Sequence, residues 1–141
     1  MLTIERLDIT DAYKLIDGAR AKANEISVPM CIAITDESGN LIAFERMNGS
    51  KTTSINLAID KSYTAAGVKK GTHLLGEVSH PGQPAYGLSS TLGGRMVVVA
   101  GGLPVLSNGE VVGGIGVSSG SPAQDREVAE AGVRAFSEIQ S

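Results

Sequence analysis

The alternation at residues 111–118, VVGGIGVS, limits the fold more than any other stretch of the chain. Successive strand side chains point to opposite faces of a sheet. Ile115 and Val117 therefore pack one face, while Gly114 and Gly116 leave the other bare except for Val112 and Ser118. A bare strand face lets another part of the molecule come close to the backbone. Either a helix is packed tightly there, or the strand floors a pocket in which Gly114, Gly116 and Ser118 bind a ligand.

Glycines near a helix also suggest a dinucleotide site. That site needs its glycines in the first turn of a βαβ unit, with a further strand and an acidic residue about 20 positions on. The spacing from Gly114 through Gly116 to Gly120 does not fit, and only a final helix follows. That helix opens on its own signal, with Ser121 as N-cap, Pro122 as first helical residue and Gln124 completing a capping box.

The remaining elements follow from periodicity. Ala12, Leu15, Ile16, Ala19, Ala23 and Ile26 recur at helical spacing, with Asp8 or Thr10 as N-cap. VPMCIAITD and LIAFERM read as two strands of a hairpin over residues 29–47, turned by DESGN. TTSINLAIDKSYTAAGVKK reads as a second helix ending near Gly67. Residues 72–94 should be loop beyond a short helical turn, and RMVVVAGG, LPVLSNG and EVVGGIGVS form three more strands before the helix from Pro122 to about Ile139. The order α-β-β-α-(loop)-β-β-β-α predicts an α+β fold with one antiparallel sheet of about five strands and helices packed on it. At 141 residues, this is a single domain over residues 1–141.

Composition excludes several functions. A net charge of −3 with no basic cluster argues against nucleic acid. No apolar run approaches the roughly 20 residues of a membrane helix, and the N-terminus lacks the plan of a signal peptide. A single Cys31 agrees with a reducing, cytoplasmic setting. His73 and His80 lack zinc-site spacing, so no metal cage is expected. No GxSxG elbow accompanies the serines near Asp125, which disfavours a serine hydrolase.

Five residues carry the candidate chemistry. Asp125 lies on or beside the apolar stripe of the last helix, and Lys61 lies on a small-residue face of the second. An unpaired buried charge is costly, so the two are expected to pair, either as a structural ion pair or as an acid/base couple. Arg46 ends the second strand, where it either pairs with Glu45 in solvent or reaches over the sheet edge to an anionic ligand. Tyr63 does not share a helix face with Lys61. His80, in a loop before Pro81, is a candidate haem ligand or proton carrier.

FERMNGS, AIDKSYTAAG, GGLPVLSNGEVVGGIGVSSG and the QD that opens the last helix closely resemble the GlcG/HbpS-like, haem-degrading family, which includes the C-terminal domain of PduO-type proteins. The resemblance spans nearly the whole chain. It implies a profilin-like fold, homodimers that stack into larger rings, and haem binding in some relatives. The matching positions are Arg46 and Gly49, then Lys61, Tyr63, Thr64 and Ala65, then Gly113, Gly116 and Gly120, and finally Gln124 and Asp125. Where haem-binding relatives can carry a histidine in the first helix, this chain has none between Asp11 and Glu25. That leaves His73, His80, Met47 or Tyr63 as haem ligands.

Three functions are consistent with these residues. The first is a small-molecule or haem-binding protein with its pocket between the second helix, the glycine strand and the long loop. The second is an enzyme on a small organic acid that uses Lys61 and Asp125. The third is an oligomeric accessory or scaffold protein.

Overall fold

The computed structural model describes residues 1–140. Its elements are α1 (Ile9–Glu25), β1 (Cys31–Asp36), β2 (Leu41–Arg46), α2 (Ser54–Val68), α3 (Thr72–Ser79), β3 (Gly102–Ser107), β4 (Glu110–Ser118) and α4 (Pro122–Gln140), with short 3-10 turns at Leu88–Ser90 and Leu92–Gly94. The strands form one antiparallel sheet in the order β2-β1-β4-β3. No helix among the described residues is long and apolar enough to cross a membrane.

Pairing registers sort the side chains into two faces. Ile32 opposes Val117, Ile34 opposes Ile115, and Leu103 opposes Ile115 from the other side. This large-residue face packs on α1 and α4 to make the main core with Leu15, Ile16, Val128 and Phe136. The α1–α4 crossing is close because a Cβ on Gly18 would meet Ala135 Cβ at 2.5 Å. The opposite face carries Ala33, Gly114, Gly116 and Ser118, and α2 lies on it. Here the sequence's two occupants are decided by distance: a Cβ on Gly116 would stand 2.0 Å from the Ala58 carbonyl oxygen, and one on Gly114 2.6 Å from that of Ser62. The bare strand face is the seat of a helix.

The caps form as their residues dictate. Asp8, not Thr10, caps α1, and its carboxylate accepts from the Asp11 N–H while Asp11 accepts from the Asp8 N–H. Ser121 and Gln124 form the expected reciprocal pair at α4. Helix α2 runs through Gly67 and ends at Lys69, which takes the left-handed conformation with φ 62° and donates its N–H to the Ala65 carbonyl.

The sheet has four strands, because residues 95–101, expected to begin a fifth, are not strand. Their backbone finds other partners. The Thr64 hydroxyl donates to the Arg95 carbonyl at 2.9 Å and accepts from the Val97 N–H at 3.0 Å. The Thr72 hydroxyl donates to the Val99 carbonyl at 2.6 Å and accepts from the Gly102 N–H at 3.0 Å. Two threonine hydroxyls thus satisfy groups that a strand neighbour would otherwise take up. The segment expected as loop contains α3, two full turns with Thr72, Leu75 and Ser79 turned inward.

Candidate functional site

Lys61 and Asp125 meet as expected. Lys61 Nζ donates to Asp125 Oδ2 at 2.9 Å and to the Val117 carbonyl at 2.9 Å, while the Gly120 N–H donates to Asp125 Oδ1 at 2.9 Å. Lys61 is 2% exposed and Asp125 3%. Burial pushes the Asp125 carboxyl above its ordinary value, and Lys61 with the Gly120 N–H pulls it back part of the way. Gly101, at φ 124°, closes over the pair, since a Cβ there would lie 2.9 Å from Lys61 Nζ and 3.0 Å from Asp125 Cβ. The pair ties α2, the end of β4 and the start of α4 together, with both side chains buried.

The pocket expected beside the glycine strand is taken up by protein. Gly114 and Gly116 lie under α2, and the buried Ser118 hydroxyl donates to Ser54 Oγ at 3.1 Å. Tyr63 faces the opposite way, with the Arg95 guanidinium 3.8 Å from its ring centroid and Gly39 against its edge. Arg95 also donates to Asp60 at 2.9 Å, which fixes the cation over the ring. Arg46 is exposed and has no ion-pair partner among the described residues, because Glu45 is held by Arg20 at 2.6 and 2.7 Å.

The histidines differ in what they can do. His73 Nδ1 is buried without a hydrogen-bond partner, and its imidazole is biased to the neutral form, first by burial and then by Arg126, against the opposing pull of Glu77 and Glu130. His80, at the C-cap of α3, is exposed, and its Nδ1 lies 3.3 Å from the Pro81 carbonyl oxygen. A carbonyl can only accept, so the tautomer that makes this contact carries its proton on Nδ1 and presents Nε2 as the ligating nitrogen. The Ala85 N–H donates to the Val78 carbonyl at 2.8 Å, folding the chain back onto the end of α3, and Leu74, Val78 and Tyr86 are exposed apolar side chains of this region. Met47 offers its sulfur to the Met30 N–H at 3.4 Å. Among the described residues, no three His, Cys, Asp or Glu side chains gather as a metal site.

Sequence reasoning missed Arg95, because its partners Asp60 and Tyr63 stand more than 30 positions away. It also missed an open groove of about 690 Å³ between the end of α1 and the end of β2. The unspent charge of Arg46 was its one visible sign.

A helix seated on glycines of an antiparallel sheet, pinned by a buried lysine–aspartate pair and backed by two further helices, defines a small α+β class of domain. The chain belongs to the family described as haem degrading protein HbpS-like, whose model matches residues 7–134. It is 39% identical over 136 residues to an uncharacterized 15.0 kDa protein of Citrobacter freundii from the dhaT-dhaS intergenic region, covering 96% of each chain. It is also 35% identical to the corrinoid adenosyltransferase PduO of Salmonella typhimurium, but spans only 39% of that protein. Among solved structures it is similar to PduOC in complex with haem, at 35% identity and a TM-score of 0.88, covering 92% of this chain and 94% of that one. Klebsiella pneumoniae ORFY gives a TM-score of 0.95 at 31% identity, covering 97% of this chain and 94% of that one.

Proposed function

We propose that this protein binds haem, with His80 as the axial ligand and the apolar surface of Leu74, Val78 and Tyr86 as the bed for the macrocycle. The observation that carries the reading is the exposed His80 imidazole, whose Nδ1 lies 3.3 Å from the Pro81 carbonyl oxygen. Histidines that ligate metals usually donate their second N–H to a carbonyl or carboxylate, which fixes the tautomer and raises ligand basicity. His73 fits less well. Ligation through its Nε2 would put a proton on Nδ1, which has no acceptor. Met47 has its sulfur engaged, and the Tyr63 ring is stacked under Arg95.

The haem complex of the PduOC relative supports haem as the ligand class. Bound at His80, haem would supply iron-centred redox and ligand-binding chemistry. The chain's own residues would orient the His80 ring through the Pro81 carbonyl and offer apolar area to the macrocycle. The burial of Lys61 and Asp125 supports a binding role over acid–base chemistry at that pair.

Titration of the purified protein with haem, followed at the Soret band, tests this reading. A saturating, stoichiometric band is expected for the native chain and for His73→Ala, and its loss for His80→Ala. Equal, unsaturable uptake by all three would overturn it.

A further inference from the structure

We infer that the groove between the C-terminal half of α1 and the end of β2 is a second binding site, for a small amphipathic monocarboxylate whose counter-ion is Arg46. Its volume, about 690 Å³, is in the range of small-molecule sites. The lining includes buried Ala23 and half-buried Val28, Pro29 and Met47, beside the half-buried pair Arg20 and Glu45. It also includes the exposed Asn24, Ser27 and Asn48, whose side chains make no hydrogen bond within the protein among the described residues. Apolar and hydrogen-bonding groups in one lining suit a ligand that is hydrocarbon at one end and hydrogen-bonding at the other.

Charge bookkeeping gives the sign of that end. Arg20 and Glu45 both line the groove, but Arg20 spends its guanidinium on Glu45 at 2.6 Å and on Asp17 at 2.9 Å. Arg46 is then the one lining cation without a protein counter-ion among the described residues. The negative end of the α1 dipole, which would repel an anion, is already satisfied. The N–H groups of Ile26, Ser27 and Val28 donate to the Lys22, Asn24 and Ala23 carbonyls at 3.0, 3.1 and 3.0 Å. A guanidinium beside free amide donors matches the planar, two-oxygen geometry of a carboxylate. The site uses no residue of the His80 surface.

Hexanoate and its uncharged isostere hexanamide, titrated calorimetrically into the native protein, test the assignment. Hexanoate should bind saturably, with hexanamide about tenfold weaker, as expected for loss of a charge-assisted hydrogen bond. Arg46→Gln should weaken hexanoate to the level of the amide, while Arg46→Lys should retain part of the difference and His80→Ala all of it. Haem uptake should be unchanged in Arg46→Gln, which separates the two sites. Equal binding of acid and amide, unchanged binding in Arg46→Gln, or no saturable binding of hexanoate would each overturn the proposal.

Discussion

The space above Gly116 belongs to the backbone of α2, so the residue is chosen for what it lacks. Gly116→Ala would drive a methyl group against the Ala58 carbonyl, 2.0 Å away, and against the Ser62 N–H group, whose nitrogen is 2.5 Å away. Neither can yield as a flexible side chain would, so helix and sheet must separate. We expect a loss of at least about 2–3 kcal/mol, at the upper end of overpacking costs, read as a lower denaturation midpoint in urea at unchanged m-value. Gly67→Ala is the matched control. It lies within α2 with nothing within 4 Å of the added Cβ, and alanine favours helix, so its stability should hold or rise. At this scale the sequence was readable where one residue has one reason. The Ser121–Gln124 box and the vacant strand face were visible because each is local. The contact of His80 with the Pro81 carbonyl was not, because it depends on how the chain turns there.

Between elements, the Lys61–Asp125 pair does the joining. Lys61→Met leaves a carboxylate buried without its cation, which should cost about 3–5 kcal/mol, while adding Asp125→Leu removes the stranded charge and should restore most of it. The pH dependence has a definite sign. Asp125 already has its carboxyl raised in the folded state, and removing Lys61 raises it further. A carboxyl raised on folding opposes folding when ionised. The deficit of Lys61→Met should be full above the folded-state value and shrink as pH falls through it towards the ordinary carboxylate range. Denaturation curves of the two variants and the native protein at pH 7 and pH 5 check both points. The pairing was legible because two charges on apolar helix faces need each other. The missing fifth strand was not, because MVVV reads as strand by composition while Thr64 and Thr72 capture its backbone from a distance.

Across the whole molecule, stability is unevenly distributed. The main core lies between the sheet and the α1–α4 layer, whereas residues 80–101 contribute few buried side chains and are held by two threonine hydroxyls, Arg95, and the Ala85–Val78 and Val117–Gly101 backbone bonds. Segments of this kind open locally before the molecule unfolds. Thr72→Val removes the hydroxyl that serves both the Val99 carbonyl and the Gly102 N–H. Amide exchange across residues 97–102 should then quicken at least tenfold, the equivalent of about 1.4 kcal/mol, while β1 and α4 keep their protection. Exchange of that segment only through global unfolding would count against a separately opening arm. The same unevenness explains why the α+β class and the family were accessible from sequence while the proposed haem surface was not. Core elements announce themselves by periodicity, but the proposed surface depends on the fold-back at Ala85.

The seat of α2 has one more consequence. Where two elements meet through side chains, a larger residue on one side can be answered by a smaller one on the other, and lineages wander through such paired exchanges. At Gly114 and Gly116 the opposing surface includes the carbonyls of Ser62 and Ala58, which no codon can shrink. Neutral drift is therefore closed at this contact, and divergence should accumulate around it, in the arm and on the exposed faces.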